Sequence, residues 1–262
     1  MSAQPYPMNA RVYPTTLDGH LDPQVGRWLW LVKWLLVIPH VIVLWFLWLA
    51  ASLLTIVAGF AILFTGHYPR AIFEFNVGVM RWTWRVTFYA IGSFGTDRYP
   101  PFTLAHDPAY PADFDVAYPE RLSRGLVLVK WWLLAIPQYV IVGIFAGGAA
   151  WGASSSAWDS GWAWGWGYGL IGVLALFAAV TLAFTGRYPE QMFDFVMGLN
   201  RWCYRVLAYA ALMRDEYPPF RLDTGGTDPG HAVTAAAVEP PGPEPPSPEP
   251  FRPGPAGPPQ AT

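Results

Sequence analysis

The chain has 262 residues, of which 53% are hydrophobic and only 13% are charged, with a formal net charge of −2. Soluble domains carry roughly 25% charged residues, so the composition favours a membrane protein. The near-zero net charge argues against nucleic acid as a partner, and the single cysteine, Cys203, excludes an intramolecular disulfide. The 15 Trp, 13 Tyr and 16 Phe residues suit the two interfaces of a bilayer.

The chain opens with a polar, proline-dotted stretch, residues 1–24, which we expect to be irregular. Residues 26–64 are then almost continuously apolar. Since about 20 apolar residues cross the hydrocarbon of a bilayer, this stretch fits either one very long helix or two short ones. The absence of a charged segment followed by a short apolar run and a small-residue cleavage site argues against a cleaved signal peptide.

An internal repeat decides between these alternatives. Residues 64–102 and 184–220 share Phe-Thr-Gly, Tyr-Pro, Phe-acid-Phe, Arg-Trp-x-x-Arg and Tyr-Pro-Pro-Phe. The second copy has about 22 extra residues, rich in Ser, Gly and Trp, which belong in water or at an interface rather than inside a bilayer. We therefore place this insertion in a turn, near residues 50–52 of the first copy, so that each copy begins with a helical hairpin. The predicted crossings are 27–49, 52–65, 125–149 and 167–185, with kinks at Pro39 and Pro137.

Each hairpin is followed by an amphipathic helix, predicted over residues 70–93 and 190–213. Its charged residues fall on one narrow stripe, which carries Glu74, Arg81 and Arg85 in the first copy. The corresponding stripe of the second copy carries Asp194, Arg201 and Arg205. The high cost of burying arginine in hydrocarbon favours a helix lying in the interface over a third crossing.

The predicted fold is therefore an all-α integral membrane protein of two tandem repeats, each a transmembrane hairpin with one interfacial helix. It has four crossings, or six if the amphipathic helices also span. The repeats occupy 25–102 and 121–222, joined by a linker at 103–120 in which Phe114 and Val116 alternate with polar residues, as in a short strand. The proline-rich tail, 223–262, is expected to be disordered. Most arginines lie away from the hairpin tips, so we place both termini in the cytoplasm, with the protein in the plasma membrane.

Two roles suit the charged stripe. Arg81, Arg85, Arg201 and Arg205 can bind anionic lipid headgroups, or they can pair across the repeats with Glu74 and Asp194. In the insertion, Trp158, Trp162, Trp164 and Trp166 are expected to form an interfacial aromatic belt. Neither Glu74 nor Asp194 has a nearby histidine, and His40 and His67 correspond to Gln138 and Arg187 in the second copy. We therefore expect no catalytic residues, cofactor or metal.

The motifs GRYPEQMFDFVMGLNRW, AYPERLSR and YPPF resemble a bacterial, largely actinobacterial, membrane family described as domain of unknown function 4389, here in two tandem copies. The resemblance implies an integral membrane protein of the cell envelope, with a link to envelope lipids. The lipase label of some relatives is not expected to apply, because the chain lacks a Gly-x-Ser-x-Gly motif.

The resulting hypothesis is a non-enzymatic scaffold or accessory subunit that contacts anionic lipids and other envelope membrane proteins. The alternative is a small lipid or ion carrier with a pathway between the repeats. Apart from Lys33 and Lys130, which lie near helix starts and are expected to reach the membrane surface, the predicted crossings contain essentially no polar groups deep in the bilayer, which favours the scaffold.

Overall fold

The computed structural model describes residues 13–23, 25–90, 92–147 and 169–230. The described part is mostly helical, but it also contains a two-stranded antiparallel sheet, so the expectation of an all-α fold is wrong in this respect. The elements in order are β1 Thr15–Gly19, α1 Leu29–Leu36, α2 Ile38–Thr65, α3 Arg70–Ala90, β2 Ala112–Val116, α4 Leu126–Val129, a π-helical segment Lys130–Leu134, α5 Ile136–Ala146, α6 Leu170–Thr185 and α7 Glu190–Ala210.

In the first copy, α2 is one continuous helix of 28 residues, so the predicted hairpin with a turn at residues 50–52 is wrong. The small polar residues at the expected turn are helix-compatible. Ser52 and Thr55 each donate a side-chain hydrogen bond to the carbonyl four residues earlier, at 2.7 Å and 2.8 Å. At about 1.5 Å per residue, α2 is about 42 Å long.

In the second copy, α5 and α6 lie one after the other along α7, as α2 lies along α3. Val142 of α5 and Ile171 of α6 pack into the same cluster with Val196 and Cys203 of α7. A β-carbon on Gly169 would collide with backbone atoms of residues 145–147, so the end of α5 and the start of α6 are adjacent. The insertion therefore interrupts a long helical path, instead of enlarging the turn of a hairpin.

The predicted kinks at Pro39 and Pro137 are breaks between helices. Each proline lies in the first turn of α2 or α5, where its missing N–H costs nothing. In the second copy, the segments before and after this break are bent by 46°. Both long helical paths end at a glycine in the left-handed conformation, Gly66 with φ 77° and Gly186 with φ 71°.

The turns after these glycines reverse the chain, so that α3 packs antiparallel on α2. Trp48 of α2 donates to Thr83 of α3 at 3.0 Å, and Asn76 of α3 donates to Thr55 of α2 at 3.0 Å. The antiparallel pair in each copy is therefore the long apolar path with the amphipathic helix that follows it.

The two strands cover the opposite side of α3. Arg81 and Arg85 each lie two residues from Thr83, which is about 200° around a helix, and they face β2 and the loop before it. Helix α7 packs in the same way on β1. The result is three layers: the sheet with its loops, the amphipathic helices α3 and α7, and the apolar helices α1, α2 and α4–α6.

The main core lies where α3 and α7 meet beneath the sheet. Trp84 and Tyr204, at corresponding positions of the two copies, pack edge to face with ring centroids 5.5 Å apart. Phe88 of α3 also packs on Phe193 of α7. These helices are therefore interior elements that join the two copies, and their ends lie slightly before those predicted, at Ala90 and Ala210.

The sheet pairs the N-terminal segment with the linker, with Leu17 opposite Phe114 at its centre. The short strand predicted in the linker is confirmed as β2. Two other predictions need correction. Residues 15–19 are a strand rather than irregular, and residues 223–230 at the start of the expected tail are ordered against α7. The rest of the tail lies outside the described residues.

Candidate functional site

The apolar layer leaves large hydrophobic side chains on its outer surface, most of them along α2. A core helix of this length in a soluble protein is mostly buried. In α2, only 17% of the most apolar 18-residue stretch is buried. We call this outer surface the apolar face. It includes Ile42, Trp45, Phe46, Leu49, Leu53, Ile56, Phe60 and Phe64 of α2, Val140 and Ile144 of α5, and Val173, Leu176, Phe177 and Phe184 of α6.

By length and composition, α2 is the one described helix that can cross a membrane on its own. The bent pair Leu126–Leu134 and Ile136–Ala146 passes the same test as a second candidate. Helix α6, with 16 residues, is shorter than a span requires. The described residues thus contain one clear candidate span, or two if the bent pair forms one.

The arginines of the first copy are held by the linker. Arg81 donates from Nε to the Phe114 carbonyl at 2.8 Å, and it forms ion pairs with Asp113 at 3.1 Å and Asp115 at 3.0 Å. Arg85 is fully buried and pairs with the same Asp113 at 3.4 Å. This arrangement fixes β2 to α3.

The arginines of the second copy are held by β1 and by the segment after α7. Arg201 donates to the Leu17 carbonyl from Nε at 3.1 Å and from Nη2 at 2.9 Å, and it pairs with Asp228 at 2.9 Å. Arg205 pairs with Asp223 at 2.6 Å and with Asp228 at 3.2 Å. Burial lowers the pKa of Arg201, and Asp228 acts in the opposite direction.

The expected pairing of these arginines with Glu74 and Asp194 is wrong. Glu74 pairs instead with Arg70, one turn earlier on α3, and both side chains are exposed. Arg85, Arg201 and Arg205 are buried beneath the sheet layer, so their side chains are not accessible to lipid headgroups. The charged stripe therefore attaches the sheet layer to the helices in each copy.

The lysines at the start of each apolar path occupy two further matched sites. Lys33 pairs with Asp97 at 2.8 Å, and Lys130 pairs with Asp215 at 2.9 Å. Both lysines are fully buried, so they do not reach out to a membrane surface as expected for side chains near helix starts. The sequence signal for these pairs is an acid just before each Tyr-Pro-Pro-Phe motif, aligned between the copies.

His40 and Gln138 occupy corresponding buried positions. Each accepts a hydrogen bond from the tryptophan of Arg-Trp-x-x-Arg: Trp82 donates to His40 Nδ1 at 3.1 Å, and Trp202 donates to Gln138 Oε1 at 2.7 Å. His40 also stacks on Phe102, with ring centroids 4.0 Å apart. This geometry gives His40 a packing role.

Two sets of expected features remain to be placed. Among the described residues, no group of three His, Cys, Asp or Glu side chains is arranged to hold a metal ion. Trp158, Trp162, Trp164 and Trp166, the predicted aromatic belt, lie outside the described residues, so their role stays a prediction.

The sequence profile of the family described as domain of unknown function (DUF4389) matches residues 27–103 and 163–221. The two segments together cover slightly more than half of the chain and are consistent with two tandem copies of the domain. Comparison with curated proteins and with solved structures finds no match.

Proposed function

The chain belongs to the DUF4389 family, and we propose that it is a non-enzymatic scaffold or accessory subunit embedded in the plasma membrane of a bacterial cell envelope. The observation that carries this proposal is the apolar face. Large exposed apolar surfaces mark contacts with lipid or protein, and this one extends over α2, α5 and α6. Its aliphatic and aromatic composition suits hydrocarbon.

A scaffold role is favoured over a carrier by the state of the interior charges. The buried lysines and arginines each have an acidic partner within 3.4 Å, supplied by the sheet layer or the loops. A carrier needs polar groups that exchange partners with its cargo along a pathway. Fixed ion pairs that attach one layer to the next are better suited to a rigid structure. The exposed sheet layer is then the surface available to other envelope proteins.

Membrane embedding is tested by fractionation of cells that produce the full chain. We expect the protein to stay in the membrane pellet after extraction at high pH and to need detergent for release. Leu53→Glu with Ile56→Glu places charges on the apolar face and should reduce retention. The matched pair Ala105→Glu with Ala109→Glu, on exposed loops of the sheet layer, should not. Release of the unaltered protein by alkaline buffer alone would contradict embedding.

The scaffold role is tested on protein released from native membranes. Native mass spectrometry is expected to find a second envelope protein in a fixed ratio to this chain. Purified protein reconstituted in vesicles is expected to leave the rates of lipid exchange and ion flux unchanged. An increased rate of either process, with no bound protein partner, would favour the carrier.

A further inference from the structure

The two apolar paths run in opposite directions. Arg27 stands just before the first path, and its guanidinium lies over Gly186, which ends the second path. Arg124 stands just before the second path and lies within 3.6 Å of the β-carbon position of Gly66, which ends the first. Each path therefore begins where the other ends, so the apolar layer has two equivalent ends.

The matched contacts of the two copies fit an approximate twofold axis through the middle of the molecule. The central strand pair Leu17 and Phe114, and the ring pair Trp84 and Tyr204 beneath it, are exchanged by this axis. The axis runs from the sheet layer through the amphipathic layer to the apolar layer. It is therefore perpendicular to the long helices.

The sheet layer lies level with the middle of α2. The residues of α2 on either side of its midpoint, Trp48 and Thr55, bond to Thr83 and Asn76 of α3. On the other side of the same stretch of α3, Arg81 holds the sheet. If α2 crossed a bilayer from end to end, the sheet layer would stand at the depth of the bilayer centre.

That depth is incompatible with the surface of the sheet layer. The side chains of Asp115 and His106 are 57% and 58% exposed, and both belong to this layer. A charged side chain such as that of Asp115 costs several kcal/mol at the bilayer centre. With the helices parallel to the membrane plane, the same groups face water.

We propose that the long helices lie in the plane of a single leaflet, with the apolar face toward the bilayer centre, the sheet layer in water and the twofold axis along the membrane normal. This inference rests on the proposed membrane embedding. A helix of about 10 Å diameter fits within one leaflet, whose hydrocarbon is about 15 Å thick. Both copies then have the same orientation relative to the membrane.

The ligand for this surface is an anionic phospholipid. Exposed basic residues stand at both ends of the apolar layer, Arg27 and Arg187 at one end and Arg124 at the other. In the proposed orientation the long side chains of these arginines extend from the ends of the helices to headgroup level, so the guanidinium groups meet lipid phosphates. The apolar face supplies the contact with acyl chains, and the arginines supply the preference for anionic lipid.

The orientation is tested with single cysteines at His67, Arg187 and Ala105, which mark the two ends and the sheet layer. Intact spheroplasts and permeabilised ones are treated with a membrane-impermeant maleimide. In-plane helices require the same result at all three positions, and we expect labelling only after permeabilisation. If His67→Cys and Arg187→Cys react from opposite sides of the membrane, α2 spans and the proposal is wrong. Membrane retention, measured in parallel, reports separately on the proposed function.

The lipid preference is tested by native mass spectrometry of protein purified with phosphatidylglycerol and phosphatidylcholine in equal amounts. Arg27→Gln with Arg124→Gln should reduce the ratio of bound anionic to zwitterionic lipid, by about fivefold for each arginine. Arg98→Gln, at an exposed arginine that donates to the Ala109 carbonyl in the sheet layer, is the matched control and should leave the ratio unchanged. An equal ratio in all three proteins would overturn the role of Arg27 and Arg124.

Discussion

The carbonyl oxygen of Leu17 accepts two hydrogen bonds from the guanidinium of Arg201, although 184 residues separate them. Phe114, which is paired with Leu17 in the sheet, accepts from Arg81 in the same way. The repeated arginines thus hold the two halves of one small sheet. Because each buried guanidinium also pairs with a carboxylate, the sheet layer depends on charges that are costly to leave unpaired.

Asp228→Asn tests this dependence. Its carboxylate pairs with Arg201 and Arg205, and its side chain is 1% exposed. Removing the charge leaves buried guanidinium groups undercompensated, so we expect the free energy of unfolding to fall by about 3–5 kcal/mol. Glu74→Gln removes an exposed pair and should cost less than about 1 kcal/mol. Equal denaturation midpoints for the two variants would contradict the structural role of the buried cluster.

Gly78 and Gly198 lie three residues before Arg81 and Arg201, on the same helix faces, and should be intolerant of a side chain. A β-carbon on Gly78 would lie 2.8 Å from Leu104, and one on Gly198 would lie 3.0 Å from Leu222. We expect Gly78→Ala and Gly198→Ala each to destabilise the fold by about 1–3 kcal/mol through overpacking. Thermal denaturation measures the effect. Gly125→Ala, at a position with no atom within 4 Å, is the control and should leave the midpoint nearly unchanged.

His40 should be replaceable by glutamine, because the corresponding residue of the second copy is Gln138. Gln138 accepts from Trp202 and also donates to the Pro218 carbonyl at 3.0 Å, whereas Nε2 of His40 has no hydrogen-bond partner. His40→Gln is therefore expected to preserve or raise the melting temperature. His40→Leu leaves the buried Trp82 N–H unpaired and should cost about 1–3 kcal/mol. If both variants lose the same stability, the correspondence between the two positions fails.

Cys203 should be unreactive in the folded protein. Burial raises the pKa of its thiol to about 12, so the reactive thiolate is scarce at pH 7 to 9. We expect negligible maleimide labelling of the native protein across this range and full labelling in denaturant. Rapid labelling under native conditions would show that α7 is exposed, contrary to its place in the middle layer. A silent Cys203 also leaves introduced cysteines as the only reactive ones.

The repeat predicted the amphipathic helices, which recur in both copies. The short strand around Phe114 was predicted from its alternating pattern, and a change of direction at Pro39 and Pro137 from proline geometry, although the kinks expected there are breaks between helices. Such patterns act within a few residues. Mean properties of the chain also indicated a large apolar surface. These features needed no knowledge of long-range contacts.

The acidic partners of the repeated arginines could not be predicted from local patterns. Arg81 and Arg201 meet acids that do not align between the copies, Asp113 in the linker and Asp228 after the second copy. The insertion was misleading for a physical reason. An insertion is usually accommodated in a turn, but here Gly147 and Gly169 bring its two ends together within a helical path. That contact depends on packing against α7, which no local pattern reports.

The depth of α2 in a bilayer tests the central claim most directly. Spin labels at Ile42, Leu49 and Ile56 stand seven residues apart on one exposed side of the helix. Reconstituted protein with one label at each position can be measured for accessibility to oxygen and to a polar nickel complex. An in-plane helix predicts nearly equal depth at all three positions. A depth that changes by about 10 Å from one position to the next would show a spanning helix and contradict the account.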